Sequence, residues 1–91
     1  MPYSENAGTP AAAVSVATTD TLVLAANRQR LSATFCNNGS NVIYLRLGTG
    51  AAVAGQGIRL AAGQTVTLDN YTGEVRGIAL TAATSLTLVQ V

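Results

Sequence analysis

Apolar and polar residues alternate one by one in short runs, and turn-forming residues interrupt these runs about every eight to twelve positions. The clearest run covers residues 30–37, where Leu31 and Phe35 alternate with Thr34 and Cys36. A period of two places successive side chains on opposite faces of a strand. Many short strands at this spacing are typical of a sandwich or a barrel, and no segment shows a sustained helical period. The chain is therefore predicted to be all-β.

The alternation predicts about eight short strands that pack as a small antiparallel β-sandwich. The predicted strands are residues 14–18, 21–25, 30–37, 42–47, 58–60, 65–69, 74–80 and 85–91. Their inward-facing apolar side chains form the predicted core, because a slip of one residue would expose all of them. The predicted core residues are Leu22, Leu24, Leu31, Phe35, Ile43, Leu45, Val66, Leu68, Ile78, Leu86 and Leu88.

The first residues of the chain differ from the rest. Residues 1–13 show no periodicity and contain both prolines, Pro2 and Pro10. Proline fixes φ and lacks an N–H group, which favours an extended backbone over a helix. We therefore expect an extended N-terminal arm over residues 1–13 and one β-sandwich domain over residues 14–91. A helix over residues 7–17 is the competing interpretation, because alanine favours helices.

The composition excludes most site chemistry. The chain has no histidine, and its one cysteine is Cys36. Zinc sites of His or Cys, intrachain disulfides and His-dependent catalytic groups are therefore excluded within one chain. Four acidic residues are too few for the roughly six to eight oxygens that Ca²⁺ requires, and a net charge of +1 provides no surface for a nucleic-acid backbone. We expect no enzyme activity, no catalytic residue, no metal, no cofactor and no nucleic-acid partner.

Three local patterns resemble functional motifs. The segment GTGAAV at residues 48–53 resembles a nucleotide-binding turn, but no predicted helix follows to receive a phosphate, so a plain loop is predicted. Asn38 and Asn70 begin sequences with the spacing of glycosylation sites, which we interpret as turns. Cys36 has no nearby base, which favours a packing role over a nucleophilic one.

Targeting signals are not predicted. The chain does not begin with a basic stretch followed by an apolar one, and no apolar run approaches the ~20 residues of a membrane span. We therefore expect a protein made in a cytoplasm, without a membrane partner.

The apolar composition favours self-association. Hydrophobic residues make up 48% of the chain and charged residues 10%. The predicted edge strands carry neither lysine nor proline, which commonly prevent pairing between exposed edges. Val23, Val42, Val89 and Val91 oppose the predicted core and indicate a second buried surface. We therefore expect a homo-oligomer.

The strand arginines are candidates for contacts between subunits. Arginine suits planar, partly buried ion pairs. One hypothesis is that Arg46, Arg59 and Arg76 pair with Asp69 or Glu74 of another subunit, and the alternative is a solvated charged face.

Four stretches resemble a known family. They are TLVLAAN at residues 21–27, NNGS at 37–40 followed by VIYL at 42–45, GIRLAAG at 57–63 and YTGEVRGI at 71–78. These stretches resemble the small capsid decoration proteins of tailed bacteriophages, also called cement or head-stabilising proteins. The resemblance covers most of residues 14–91. It implies a non-enzymatic structural virion protein, often trimeric, that binds the major capsid protein on the outer surface of an icosahedral capsid.

From this resemblance we expect a protein that stabilises a capsid by bridging neighbouring shell subunits. An extended arm can add to a strand edge on the shell, and pairing should fall mainly between the two prolines. The hypothetical capsid contacts are Tyr3, Ser4, Glu5, Asn6 and Thr9. Alternatively, the arm exchanges between protomers and only the sandwich touches the shell.

The alternative function is a β-sandwich binding module of a phage tail or head fibre, which attaches to a receptor or a carbohydrate. Such a module needs exposed aromatic platforms. It is therefore favoured if Tyr44 and Tyr71 share one exposed face.

Overall fold

The computed structural model describes residues 12–90, which form eight β-strands and no helix. The strands are β1 (Ala12–Val16), β2 (Thr21–Leu24), β3 (Ser32–Asn37), β4 (Ile43–Leu47), β5 (Ile58–Leu60), β6 (Thr65–Asp69), β7 (Val75–Ala79) and β8 (Thr84–Gln90). The prediction of a small antiparallel sandwich is confirmed. Within residues 12–16 the competing helix is wrong, because they form β1.

The strands form two four-stranded antiparallel sheets. Sheet A has the order β1-β8-β3-β6, and sheet B has the order β2-β7-β4-β5. The pairs are nested along the chain, since β1 pairs with β8, β2 with β7, β3 with β6 and β4 with β5. One long hairpin wrapped around itself gives this order, which is the connectivity of a jelly roll.

The asparagine-rich segment at residues 37–41 has the residue types of a hairpin loop, but it does not form one. It crosses from β3 in sheet A to β4 in sheet B. The Asn37 side chain is fully buried and donates hydrogen bonds to the carbonyl oxygens of Asn41 (2.7 Å) and Leu60 (2.8 Å). Its Oδ1 accepts one from the Gly39 N–H (2.9 Å). The segment therefore ties the two sheets together.

Most of the predicted core is buried between the sheets. Phe35, Ile43, Leu45 and Leu86 are fully buried, and Val66 and Leu68 pack against the core while remaining partly exposed. The core also contains apolar residues that the sequence did not single out as inward-facing. They are Val16, Val23, Ala33, Leu60, Val75 and Ala79. The prediction that Val23 opposes the core is therefore wrong.

Two predicted core residues are wrong. Leu22 is 47% exposed and Leu31 is 60% exposed. The pairing of β2 with β7 shifts register between Leu22 and Leu24, so Val23 and Leu24 are both buried and Leu22 is not. Leu31 precedes β3, so the alternation of the strand does not extend to it.

Arg30 joins two loops at the end of the sandwich where β3 begins. Its side chain is 3% exposed, and it follows β2 in the long connection to β3. Its guanidinium donates hydrogen bonds to the carbonyl oxygens of Tyr71 (3.2 Å), Ala25 (3.3 Å) and Gly73 (2.6 Å). A residue predicted to start a strand therefore joins the loop before β3 to the loop before β7.

Candidate functional site

The outer face of sheet A carries small side chains. Register aligns its outward residues in rows across the strands, and among the residues of β1, β3, β6 and β8 only Asp69 is charged. The rows are Ala13, Thr87, Cys36 and Thr65, then Val89, Thr34 and Thr67. Apart from Asp69, which register sets opposite Ser32, this face is polar without charge. The half-buried Cys36 lies among hydroxyl groups.

The outer face of sheet B carries arginine and tyrosine. Ile43 and Leu45 of β4 are buried in the core, so the alternation places Tyr44 and Arg46 on the outside. Register sets Tyr44 between Arg59 of β5 and Ile78 of β7. It also sets Arg46 opposite Arg76, the strand partner of Leu22. We call Tyr44, Arg46, Arg59 and Arg76 the arginine face.

Ile78 is buried on this same outer side. It alternates along β7 with Gly77 and Ala79, and Ala79 belongs to the core cluster. A Cβ on Gly77 would lie 2.9 Å from Cγ2 of Val23, so this glycine faces the core where space is short. Ile78 is buried, but its predicted place in the core between the sheets is wrong, because it lies on the outer side next to Tyr44 and supports the arginine face.

Arg76 is held by two carboxylates of its own chain. Its Nη2 lies 2.7 Å from Asp20 Oδ2, and its Nη1 lies 2.6 Å from Glu74 Oε2. Its Nε also donates to both Asp20 oxygens, at 3.0 and 2.9 Å. Asp20 Oδ1 in turn accepts a hydrogen bond from the N–H of Ala52 at 2.8 Å. The ion pair therefore joins β7 to the turn before β2 and to the loop between β4 and β5.

This arrangement shifts the protonation equilibria of the pair. The hydrogen bonds from Arg76 and then from the Ala52 N–H lower the pKa of Asp20 below its usual value of 3.8. The hydrogen bonds to Asp20 and then to Glu74 raise the pKa of Arg76. The sequence pattern did not reveal this pair, because the two residues lie 56 positions apart along the chain.

The structure brings most of the proposed subunit-pairing residues to one face. Arg46, Arg59, Arg76 and Glu74 lie at sheet B, whereas Asp69 lies on β6 of sheet A. Because Arg76 and Glu74 pair within the chain, their pairing between subunits stays a prediction that would require exchange of partners. Arg46, Arg59 and Asp69 are exposed. The proposed arm contacts, Tyr3, Ser4, Glu5, Asn6 and Thr9, lie outside the described residues.

Loop 48–57 fixes the guanidinium of Arg46. Arg46 Nη1 donates a hydrogen bond to the carbonyl oxygen of Ala51 at 3.0 Å. A Cβ on Gly50 would lie 2.7 Å from the Cζ of Arg46, so the absence of a side chain lets the loop lie against the guanidinium. The segment predicted to be a plain loop is confirmed as one, and it joins the antiparallel strands β4 and β5.

A shallow depression of about 190 Å³ opens beside this guanidinium. It is lined by Arg46, Val53, Gln56 and Gly57. Gly57 has φ of 97°, and a Cβ there would collide with the carbonyl oxygen of Leu45. Glycine therefore brings the loop directly onto β4 and closes one side of the depression.

The two tyrosines of the sandwich do not form a shared platform. Tyr44 lies half-buried on the arginine face. Tyr71 packs against the hydrophobic core, and its hydroxyl donates a hydrogen bond to the carbonyl oxygen of Glu74 at 2.7 Å. Tyr71 therefore has a structural role at the loop before β7.

Residues 12–90 contain no group of three or more His, Cys, Asp or Glu side chains arranged to hold a metal ion. Over the same residues, no helix is long and apolar enough to cross a membrane. Comparisons with known protein families, curated proteins and solved structures found no match to this chain.

Proposed function

We propose that this protein is a structural component of a phage virion that decorates the outer surface of the capsid. In this role it binds the major capsid protein and bridges neighbouring shell subunits. The observation that carries the proposal is the arginine face, where Tyr44 lies next to Arg59. Two exposed apolar side chains border this face, since Leu22 is the strand partner of Arg76 and Val53 lines a depression with Arg46. Tyrosine and arginine are enriched where protein interfaces gain most of their binding energy. The resemblance in the sequence supplies the identity of the partner.

The contrast between the two faces supports one orientation on the shell. The outer face of sheet A has neither arginine nor aromatic side chains on its strands, whereas sheet B has both. An interface needs apolar and aromatic anchors surrounded by polar groups, and sheet B offers that combination. We therefore place sheet B against the shell.

The position of the arm supports bridging. β1 is an edge strand of sheet A, so the chain before it joins the sandwich at an edge. The residues before Ala12 span at most about 40 Å when fully extended. That reach exceeds the roughly 10 Å between two packed sheets, so an arm that leaves sheet A can extend past sheet B to the shell.

The exposed apolar residues and the edge strands support self-association, and the resemblance in the sequence favours a homotrimer. Leu22, Leu47 and Val53 are exposed, and the edge strands β1 and β6 contain no lysine or proline. In a trimer, three copies bind one site on the shell, and attachment of the second and third copies becomes intramolecular. Sedimentation equilibrium of the purified protein tests this state, and a stable monomer at high concentration contradicts it.

The alternative of a carbohydrate- or receptor-binding fibre module has less support. Such a module needs several aromatic side chains on one exposed face. Tyr71 packs against the core, which leaves Tyr44 without a second tyrosine among the described residues of this face.

The proposal is tested by co-sedimentation of the purified protein with capsid shells of the phage that encodes it. The wild-type protein is expected to bind with saturable occupancy, and Arg59→Gln is expected to weaken binding at least tenfold. Arg28→Gln is the matched control, because Arg28 is an exposed arginine in the connection between β2 and β3. Absence of wild-type binding would overturn the proposal, and equal losses in both variants would remove the role of the arginine face.

A further inference from the structure

We propose that the depression beside Arg46 binds a single carboxylate group of a partner protein. The partner follows from the proposed function, whereas the chemistry follows from the depression itself. The site differs from the ion pair of Arg76, whose guanidinium is already engaged by Asp20 and Glu74. It would add a specific contact to the arginine face.

The guanidinium of Arg46 is oriented before a ligand arrives. An arginine side chain has five N–H donors, and one of those of Arg46 is used by the carbonyl oxygen of Ala51. Contact with Gly50 further restricts the group. A positioned guanidinium presents parallel N–H groups that match the two oxygens of a carboxylate, and less side-chain entropy is then lost on binding.

The rest of the depression suits an acidic group. Gln56 lines it and carries a neutral amide donor, and its backbone N–H holds the loop by donating to the Val53 carbonyl at 3.1 Å. The Val53 side chain is 45% exposed and provides an apolar wall for methylene groups. A charged donor, a neutral donor and an apolar wall together favour an acidic side chain or a chain terminus over an apolar ligand.

The local charge favours one carboxylate over a polyanion. Asp20 lies close enough for Arg46 to contribute to lowering the pKa of Asp20, but Asp20 already accepts hydrogen bonds from Arg76 and Ala52. Arg46 and Arg59 contribute positive charge around the depression. Arg76 neutralises only one of its two carboxylate partners, Asp20 and Glu74, so the other carboxylate offsets part of that positive charge. A nucleic-acid backbone requires many such contacts for affinity at physiological salt.

The test is a titration of the intact ¹⁵N-labelled protein with blocked peptides, followed by NMR. The first probe is acetyl-Ala-Glu-Ala-amide, and acetyl-Ala-Gln-Ala-amide is its uncharged control. The expected result is saturable shifts of the amide signals of Arg46, Gln56 and Gly57 with the Glu peptide, at a millimolar dissociation constant. Acetyl-Ala-Ala-Ala with a free carboxyl end shows whether a chain terminus is accepted as well as an acidic side chain.

Variants distinguish the paired N–H donors of the Arg46 guanidinium from its positive charge. Arg46→Gln is expected to weaken binding of the Glu peptide at least tenfold, and Arg46→Lys is expected to weaken it less. Arg28→Gln removes the same charge elsewhere and is expected to leave binding unchanged. Unaltered spectra at the remaining signals show that each variant is folded, and Gln56→Ala provides a second test that leaves Arg46 in place.

The inference is overturned if the Glu peptide causes no saturable shift, if the Gln peptide binds equally, or if Arg28→Gln weakens binding as much as Arg46→Gln. Tighter binding of a short oligonucleotide at the same signals would also overturn it. The titration contains no shell, so its result is independent of co-sedimentation. Carboxylate binding without shell binding would reject the proposed function alone, and shell binding without carboxylate binding would reject this inference alone.

Discussion

Asp20 connects three segments that are distant in sequence through one carboxylate. It lies in the turn before β2, accepts the N–H of Ala52 in loop 48–57, and pairs with Arg76 on β7. Both side chains of the pair keep about a quarter of their surface in contact with solvent. Solvent screening therefore moderates the strength of this contact, while its geometry fixes where the loop lies.

The pair predicts a specific loss of stability in acid. Because the folded-state pKa of Asp20 is lowered below 3.8, the stabilisation is present above that pH and is lost as pH falls through the lower folded value. Asp20→Asn is therefore expected to lower the urea midpoint at pH 7 and to flatten its decline below pH ~4. Asp69→Asn is the control, since Asp69 is exposed on β6. Parallel pH profiles of wild type and Asp20→Asn would contradict the expectation.

Replacing the buried Arg30 is expected to lower stability more than Asp20→Asn does, and this loss does not require acidic pH. Its guanidinium is buried and donates to three carbonyl oxygens. Removing it leaves these acceptors without their donor, at about 1–3 kcal/mol for a buried group. Arg30→Ala is expected to lower the free energy of unfolding by about 3 kcal/mol, measured by denaturant titration.

The neighbouring arginine provides the matched control for this change. Arg28→Ala alters an exposed side chain in the same connection and is expected to change stability by less than about 0.5 kcal/mol. Similar losses in the two variants would mean that the hydrogen bonds of Arg30 do not carry the effect.

At the scale of strands, period two located the elements and missed one shift of register. The buried positions of β3 and β4 follow their alternation, as Phe35, Ile43 and Leu45 show. The predicted burial of Leu22 was wrong because the register shift opposite β7 is a property of the strand pair, and the sequence of one strand does not reveal it. The pairing order itself was not predicted, because each nested pair joins segments that one strand's pattern cannot relate.

The missed polar contacts share the same cause. Arg30 reaches Tyr71 across 41 positions, and Arg76 reaches Asp20 across 56. Local residue patterns identify turns and faces, whereas these contacts exist only after the sheets have packed. Alternation did not reveal that the arginines of sheet B share one face, because the core position predicted for Ile78 would have turned Arg76 inward. The depression at Arg46 depends on how loop 48–57 folds back.

The crossing segment after β3 gives a prediction at this scale. The Asn37 side chain satisfies the carbonyl oxygens of Asn41 and Leu60 and the N–H of Gly39. Asn37→Ala leaves buried polar groups unpaired and is expected to cost about 2–4 kcal/mol in the free energy of unfolding. Ser40→Ala is the control, because Ser40 is exposed in the same segment. Equal denaturation midpoints for both variants would contradict this role.

At the scale of the whole molecule, the sandwich is a flat body, here called the plate, whose two outer faces differ in composition. The side of sheet B gathers Tyr44 with the arginines and apolar residues, and the side of sheet A exposes hydroxyl groups and small apolar residues. The arm joins this plate at β1, the outer strand of sheet A. In the proposed function the plate provides one contact to the shell, and the arm provides a second contact from its edge.

The arm therefore predicts the result of a truncation. Ordering an extended segment costs about 1–2 kcal/mol of backbone entropy per residue, so a single arm is expected to bind weakly. Three arms in a trimer act together, because the second and third attachments are intramolecular. Deletion of residues 1–10 leaves β1 intact and is expected to reduce occupancy on shells and the resistance of decorated particles to heat.

A length-matched variant separates the sequence of the arm from its mere presence. Replacing residues 3–9 by a Gly/Ser segment keeps the reach and removes the side chains of Tyr3 and Glu5. If the arm pairs with the shell between Pro2 and Pro10, this variant should bind as weakly as the truncated protein. If truncation also converts trimers to monomers in sedimentation, the arm exchanges between protomers instead. Unchanged occupancy and unchanged heat resistance after truncation would show that the sandwich alone holds the shell.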